Sequence, residues 1–118
     1  MIIDEAQSGI GRTGRWFAIE HFEVVLDIIT TSKSLGGGIP ISGVTTTRKI
    51  AEHVAELGFH QSSSHTDDLF LRCWLANTEI LEREELVHNA AEEGPYLKSA
   101  LEELKSNTKW LATCSASA

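Results

Sequence analysis

Two short apolar runs in this chain each lead to a charged side chain. Met1-Ile2-Ile3 runs into Asp4, and the β-branched stretch Val24–Thr30 stops just short of Lys33, which is followed by Gly36-Gly37-Gly38. Apolar segments of this length, bounded by polar and glycine-rich sequence, are predicted to be strands. A carboxylate and an amine, each leaving a short strand, are the pair an enzyme needs to hold pyridoxal phosphate (PLP). The lysine forms a Schiff base with the aldehyde, and the aspartate keeps the ring nitrogen protonated so that the ring accepts electrons. Taken singly, the same residues also serve as a solvated loop lysine and a turn aspartate.

The intervening sequence organises around these strands. Gln7–Arg15 carries three glycines in nine residues and is predicted to be a loop. Trp16–Phe22 is apolar enough for a short helix on the sheet, and Ile41–Thr46 alternates as a third strand. Arg48–Leu57 is predicted to be helical and stopped by Gly58 at the position where a left-handed residue ends a helix. Phe59–Asp68 is a polar loop. Leu71, Trp74, Leu75, Thr78 and Leu81 recur with helical period, and Leu97, Leu101 and Leu104 form a second stripe. Gly94-Pro95 falls between them, which predicts two helices meeting at Gly94 in place of one bent helix. Strands interleaved with helices make the fold class α/β.

Three phrases carry a more specific resemblance. Asp4-Glu5-Ala6-Gln7-Ser8-Gly9-Ile10-Gly11-Arg12-Thr13-Gly14, Asp27-Ile28-Ile29-Thr30 and Ser32-Lys33-Ser34-Leu35-Gly36-Gly37-Gly38-Ile39-Pro40 resemble the class III (ω-) aminotransferases. These are PLP enzymes of the aspartate-aminotransferase fold, fold type I. The interval from Asp4 to Lys33 (33 − 4 = 29) fits the family spacing. Gly58-Phe59-His60-Gln61-Ser62-Ser63-Ser64-His65 resembles the dialkylglycine decarboxylase branch.

The resemblance runs from Met1 to about Leu104. It implies a partial PLP-binding large domain in which short strands are followed by helices. Residues 1–105 would be the C-terminal part of that domain and 106–118 an atypical tail. Lys33 would be catalytic, first holding the cofactor and then moving the Cα proton; a buried, partly desolvated amine suits that role. Asp4 would pair with the ring nitrogen, Gln7 would contact the ring's phenolic oxygen, and Ser64 would hydrogen-bond the phosphate of a partner subunit's PLP. Arg12 would position its loop by hydrogen bonds. The expected partners are an amine or amino-acid donor, a keto-acid acceptor and a second copy of the chain in a homodimer. The family's phosphate-cradling turn, ring-stacking aromatic and carboxylate-binding arginine have no counterpart in these 118 residues.

Composition narrows the remaining classes. Lys+Arg 10 against Asp+Glu 17 gives a net charge of −7, with no basic stripe to attract nucleic acid or an anionic membrane. No apolar run approaches the ~20 residues that span a bilayer. Cys73 and Cys114 lack metal-ligand spacing and are predicted to be reduced thiols, Cys73 in the core. No metal is expected, and the compartment is cytoplasmic or mitochondrial.

Departures from the family pattern lie at Leu26, Asp67 and Asp68-Leu69. Leu26 and Leu69 replace usual prolines, each change worth about 0.4–1 kcal/mol where the geometry suited proline. Asp67 puts negative charge near the expected phosphate. Arg72 and Trp74 stand where alanine-like residues are usual and are expected to overpack the core at about 1–3 kcal/mol each. The expected activity is therefore PLP-dependent transamination. Decarboxylating transamination and a truncated, non-catalytic remnant are the alternatives.

Overall fold

The computed structural model describes residues 1–58 and 68–108. The order is β1 (Ile2–Asp4), a 3-10 turn (Ala18–His21), β2 (Ile28–Thr31), a second 3-10 turn (Lys33–Gly36), β3 (Gly43–Thr46), and then α1 (Arg48–Leu57), α2 (Asp68–Arg83) and α3 (Leu86–Asn107). The α/β class is as the sequence predicted. The sheet runs β1-β2-β3. β1 and β2 are parallel with Asp4 opposite Thr30, and β2 and β3 are antiparallel with Thr31 opposite Gly43.

A strand is only as long as its partner allows. β2 begins at Ile28, not Val24: its first paired residue is Ile28, opposite Ile2, and the amides of Asp27 and Ile28 both donate to the Met1 carbonyl. The preceding segment is left outside the sheet, with Val25 92% exposed. An apolar run such as Met1-Ile2-Ile3 reads as a buried strand, and the structure corrects that reading. Among the described residues β1 is an edge strand, and Ile2 is 66% exposed. Such an edge presents unpaired N–H and C=O groups to any other strand.

Buried apolar residues among the described ones are Ile10, Ile29 and Leu35. They gather where the Gln7–Arg15 loop, β2 and the second 3-10 turn meet. α1 forms as predicted, with Gly58 at φ 67° closing its last turn. α2 also forms, but it faces inward through Phe70, Cys73, Asn77 and Leu81. Leu71, Trp74 and Leu75 of the predicted stripe point outward. Arg72 and Trp74 are exposed and overpack nothing here, and Cys73 is half-buried instead of core.

The predicted break at Gly94 is not found. α3 runs through Pro95. Proline removes one hydrogen bond and crowds the carbonyl four residues back, but Pro95 is exposed and Gly94 has open space around it, so the ring finds room. The chain breaks nine residues before Gly94, where Glu85 adopts φ 51° between α2 and α3.

The N-terminal half of α3 seats the glycine loop. Gly11 approaches Val87, and a Cβ on Gly14 would lie 2.7 Å from the Cα and Cβ of Ala91. Gly14 also has φ 79°, which an L side chain resists. Gly14→Ala is expected to destabilise the chain by about 2–4 kcal/mol from left-handed strain plus overpacking. Chemical unfolding would show this as a lower midpoint, with Gly38→Ala, where a Cβ meets nothing within 4 Å, as the milder comparison.

Candidate active site

Asp4 and Lys33 leave the C-terminal ends of the two parallel strands, the end of an α/β sheet where ligands bind. Asp4 Oδ1 accepts the Ala6 amide at 2.9 Å and the Thr30 hydroxyl at 3.0 Å. Those bonds, the backbone one foremost, hold the Asp4 carboxyl below its ordinary value, and the Lys33 ammonium adds to the effect. The other oxygen, Oδ2, has no protein partner among the described residues. Asp4 thus presents an ionised carboxylate with one oxygen to spare.

The sign of its pH dependence follows. A carboxyl whose pKa is depressed in the fold contributes stability above its unfolded value, here 3.8, and loses it as pH falls through the lower folded value. Carbon-13 NMR titration is expected to place the Asp4 midpoint below 3.8. Thr30→Val, which deletes the hydroxyl donor, should raise it; an unchanged midpoint would show that Thr30 does not hold the charge.

Lys33 opens the second 3-10 turn with φ 46°, a left-handed conformation. For a non-glycine residue this costs on the order of 1–3 kcal/mol and persists only where the surroundings impose it. Nζ of Lys33 donates to Oε1 of Gln7 at 2.8 Å, so the structure joins two of the predicted site residues directly. Lys33 is exposed, however, so the burial expected of it is not supplied within this chain. Ser64 lies outside the described residues.

Lys33, Ser34, Arg12, Gly37, Gly38 and Asn77 line an open depression of about 730 Å³. The Arg12 side chain makes no hydrogen bond among the described residues, which corrects its expected role in holding the loop. Other groups hold it. His21 Nε2 sits 3.1 Å from the Thr13 carbonyl. The Ser34 hydroxyl donates to the Gly9 carbonyl at 2.7 Å and accepts from the Ile10 amide at 2.9 Å.

Two further residues support the site without being evident from the sequence. Glu5 is fully buried and accepts from the Ser8 hydroxyl and, at 2.8 Å, from the Ile19 amide. A second carboxylate directly after Asp4 was the available signal, because successive strand residues face opposite ways. Asn77, an asparagine inside a helical stripe, donates from Nδ2 to the carbonyls of Ser34 and Leu35 at 2.8 and 3.2 Å. Mid-helix asparagine is a weak helix former, and that is its signature.

This donor set fits PLP. An ionised carboxylate with a free oxygen suits a protonated ring nitrogen, and a strand-end amine beside a carboxamide suits an aldehyde flanked by a phenolic oxygen.

The comparisons agree. The family model for class-III aminotransferases matches residues 1–114. An acetylornithine aminotransferase of Archaeoglobus fulgidus is 41% identical over 103 residues, covering 87% of this chain and 27% of the relative. A leucine/methionine racemase of Thermococcus litoralis is 43% identical over 105 residues, covering 89% of this chain and 24% of the relative. The ornithine aminotransferase of Toxoplasma gondii, whose structure has PLP at partial occupancy in the active site, superposes with a TM-score of 0.87 at 32% identity. That match covers 95% of this chain and 26% of the other. The chain spans about a quarter of the length of these relatives. On the family match and these likenesses, it belongs to the class-III aminotransferases.

Proposed function

We propose that this chain supplies the ring-nitrogen and lysine side of a PLP-dependent transaminase site. The carrying observation is the juxtaposition at the C-terminal ends of β1 and β2: a carboxylate with a free oxygen, and an amine held by Gln7. When bound, PLP supplies an electron sink for the electrons of the bond broken at the substrate's Cα. Asp4 Oδ2 would hold the protonated ring nitrogen by a charge-assisted hydrogen bond. Lys33 Nζ would hold the aldehyde end and would serve as the base for the substrate's Cα proton. Gln7 orients that amine. Ser64 is assigned to the phosphate of the partner subunit's cofactor, which makes the working unit a homodimer.

The names of the relatives point to ornithine or acetylornithine as the amino donor. The racemase relative favours a second outcome of the same proton removal, return of the proton to Cα on the opposite face. The phrase that suggested decarboxylation lies outside the described residues beyond Gly58.

The test uses two proteins, the 118-residue chain and a chimera in which residues 1–108 replace the matching segment of the Archaeoglobus fulgidus relative. Each is assayed with PLP, several amine donors and pyruvate or 2-oxoglutarate. The chimera is expected to transaminate and the chain alone to show no turnover. Inversion of leucine or methionine without keto-acid product would select the racemase reading. A folded chimera that binds no PLP would support the non-catalytic remnant and overturn the proposal.

A further inference from the structure

We propose that Asn77 is a positioning residue for Lys33, holding the reactive amine's backbone from another helix. The inference rests on Lys33 being the reacting amine. It starts from a problem the structure must solve. Lys33 stands in the left-handed region, which a lysine does not adopt by itself, and it does so at the first residue of a four-residue 3-10 turn. Such a turn contributes little stability of its own.

What imposes the conformation is the set of ties around the next two residues. The Ser34 side chain is fixed on one side by Gly9 and Ile10. Leu35 is anchored by burial, 4% exposed. Apart from Asn77, the Leu35 carbonyl has no partner among the described residues, and the Ser34 carbonyl has only the Gly37 amide, at 3.3 Å. Both are taken by the single side-chain amide of Asn77, 43 and 42 residues away in sequence. The same side chain lies against Gly37, where a Cβ would come 2.8 Å from Asn77 Oδ1. Gly37 at φ 59° is where the turn reverses. Asn77 therefore grips the turn at its two middle carbonyls and at its exit. Loss of that grip frees the turn to relax from its left-handed start, and Lys33 Nζ then leaves Gln7.

The geometry also explains a polar residue on the inward face of α2, between Cys73 and Leu81. Leucine would fill the same volume but leave the Leu35 carbonyl without a donor and the Ser34 carbonyl with the Gly37 amide alone. Aspartate would place negative charge against them. Only a donor of this reach serves.

The experiment uses the full chain and three variants, Asn77→Leu, Asn77→Asp and Asn77→Gln. Reduction with borohydride in the presence of PLP, followed by peptide mapping, gives the labelling rate at Lys33 relative to Lys49 and Lys98. The backbone NH–Hα coupling of Lys33 reports its φ without any cofactor, and circular dichroism checks that each variant folds.

Asn77→Leu and Asn77→Asp are expected to lower the Lys33-to-Lys49 labelling ratio about tenfold, the hold of two neutral hydrogen bonds, and to shift the Lys33 coupling. Asn77→Gln, which keeps the amide, should restore part of both. A merely structural asparagine would slow all lysines alike or lower the melting temperature without changing the ratio, and that result overturns the proposal. Should wild-type Lys33 not label selectively, the proposed function fails instead. The coupling still decides Asn77: an unchanged value in a folded Asn77→Leu protein overturns its role.

Discussion

Lys33→Ala in the chimera is expected to abolish the borohydride-trappable PLP adduct and to lower turnover on the order of 10⁴-fold or more. Under the proposed function the lysine has two duties, and neither has a substitute. It would be the covalent anchor for the cofactor and the base for the Cα proton; loss of a positioned general base alone costs about 10²–10⁴-fold. Gln7 and Ser34, beside it, have no titratable nitrogen to take its place. Added methylamine should recover part of the rate by replacing the missing base, since the rest of the site is intact. Peptide mapping of the unmutated chimera supplies the complementary result, a single labelled lysine at position 33. A label at Lys49 or Lys98 in its place would remove Lys33 from the mechanism.

Asp4→Asn should separate the same two duties. The Lys33 adduct is expected to form, because condensation at the aldehyde end does not use the carboxylate. Turnover is expected to fall by about a hundredfold or more, the loss of a charge-assisted hydrogen bond to a cationic nitrogen. The neutral amide can still accept from Ala6 and Thr30, so only the stability that the ionised carboxyl adds above its unfolded value should be lost near neutral pH. The ring nitrogen, no longer held protonated, would be a poor electron acceptor. Absorbance would show the adduct, and stopped-flow with a single donor amine would show slow proton removal at Cα. Rates equal to those of the unmutated chimera would reduce Asp4 to a turn residue.

The strands and α1 could be read from the sequence because their signals are local. The β-branched run before Thr31 and the glycine after Leu57 state the structure of their own neighbourhood. Asp4, Gln7 and Lys33 stood out as candidates because their chemistry and spacing are distinctive, and the structure brings Gln7 and Lys33 into a hydrogen bond. The errors share a different cause. Periodicity shows that α2 has an apolar stripe, but not which part of that stripe meets residues of this chain. Phe70, Cys73 and Asn77 turn inward, while Leu71, Trp74 and Leu75 are left to whatever else covers the helix. Pro95 misled because a proline's cost depends on the space around its ring, which is a tertiary property. Asn77 was passed over because its partners are carbonyls, and every residue has one.

The neighbouring carboxylates at the end of β1 have one more consequence, for insertions and deletions. Asp4 faces the site and Glu5 faces the interior, fully buried beneath the Ile19 amide. Pleating assigns these sides by parity. A change of one residue in β1 would exchange them, turning the functional carboxylate into the core and the structural one out to the cofactor. Two acids so similar in chemistry make such a slip nearly invisible to composition. The strand can vary its apolar residues far more readily than its length, and lineages that retain the activity should accept substitutions at Ile2 and Ile3 while rejecting any single-residue indel before Asp4.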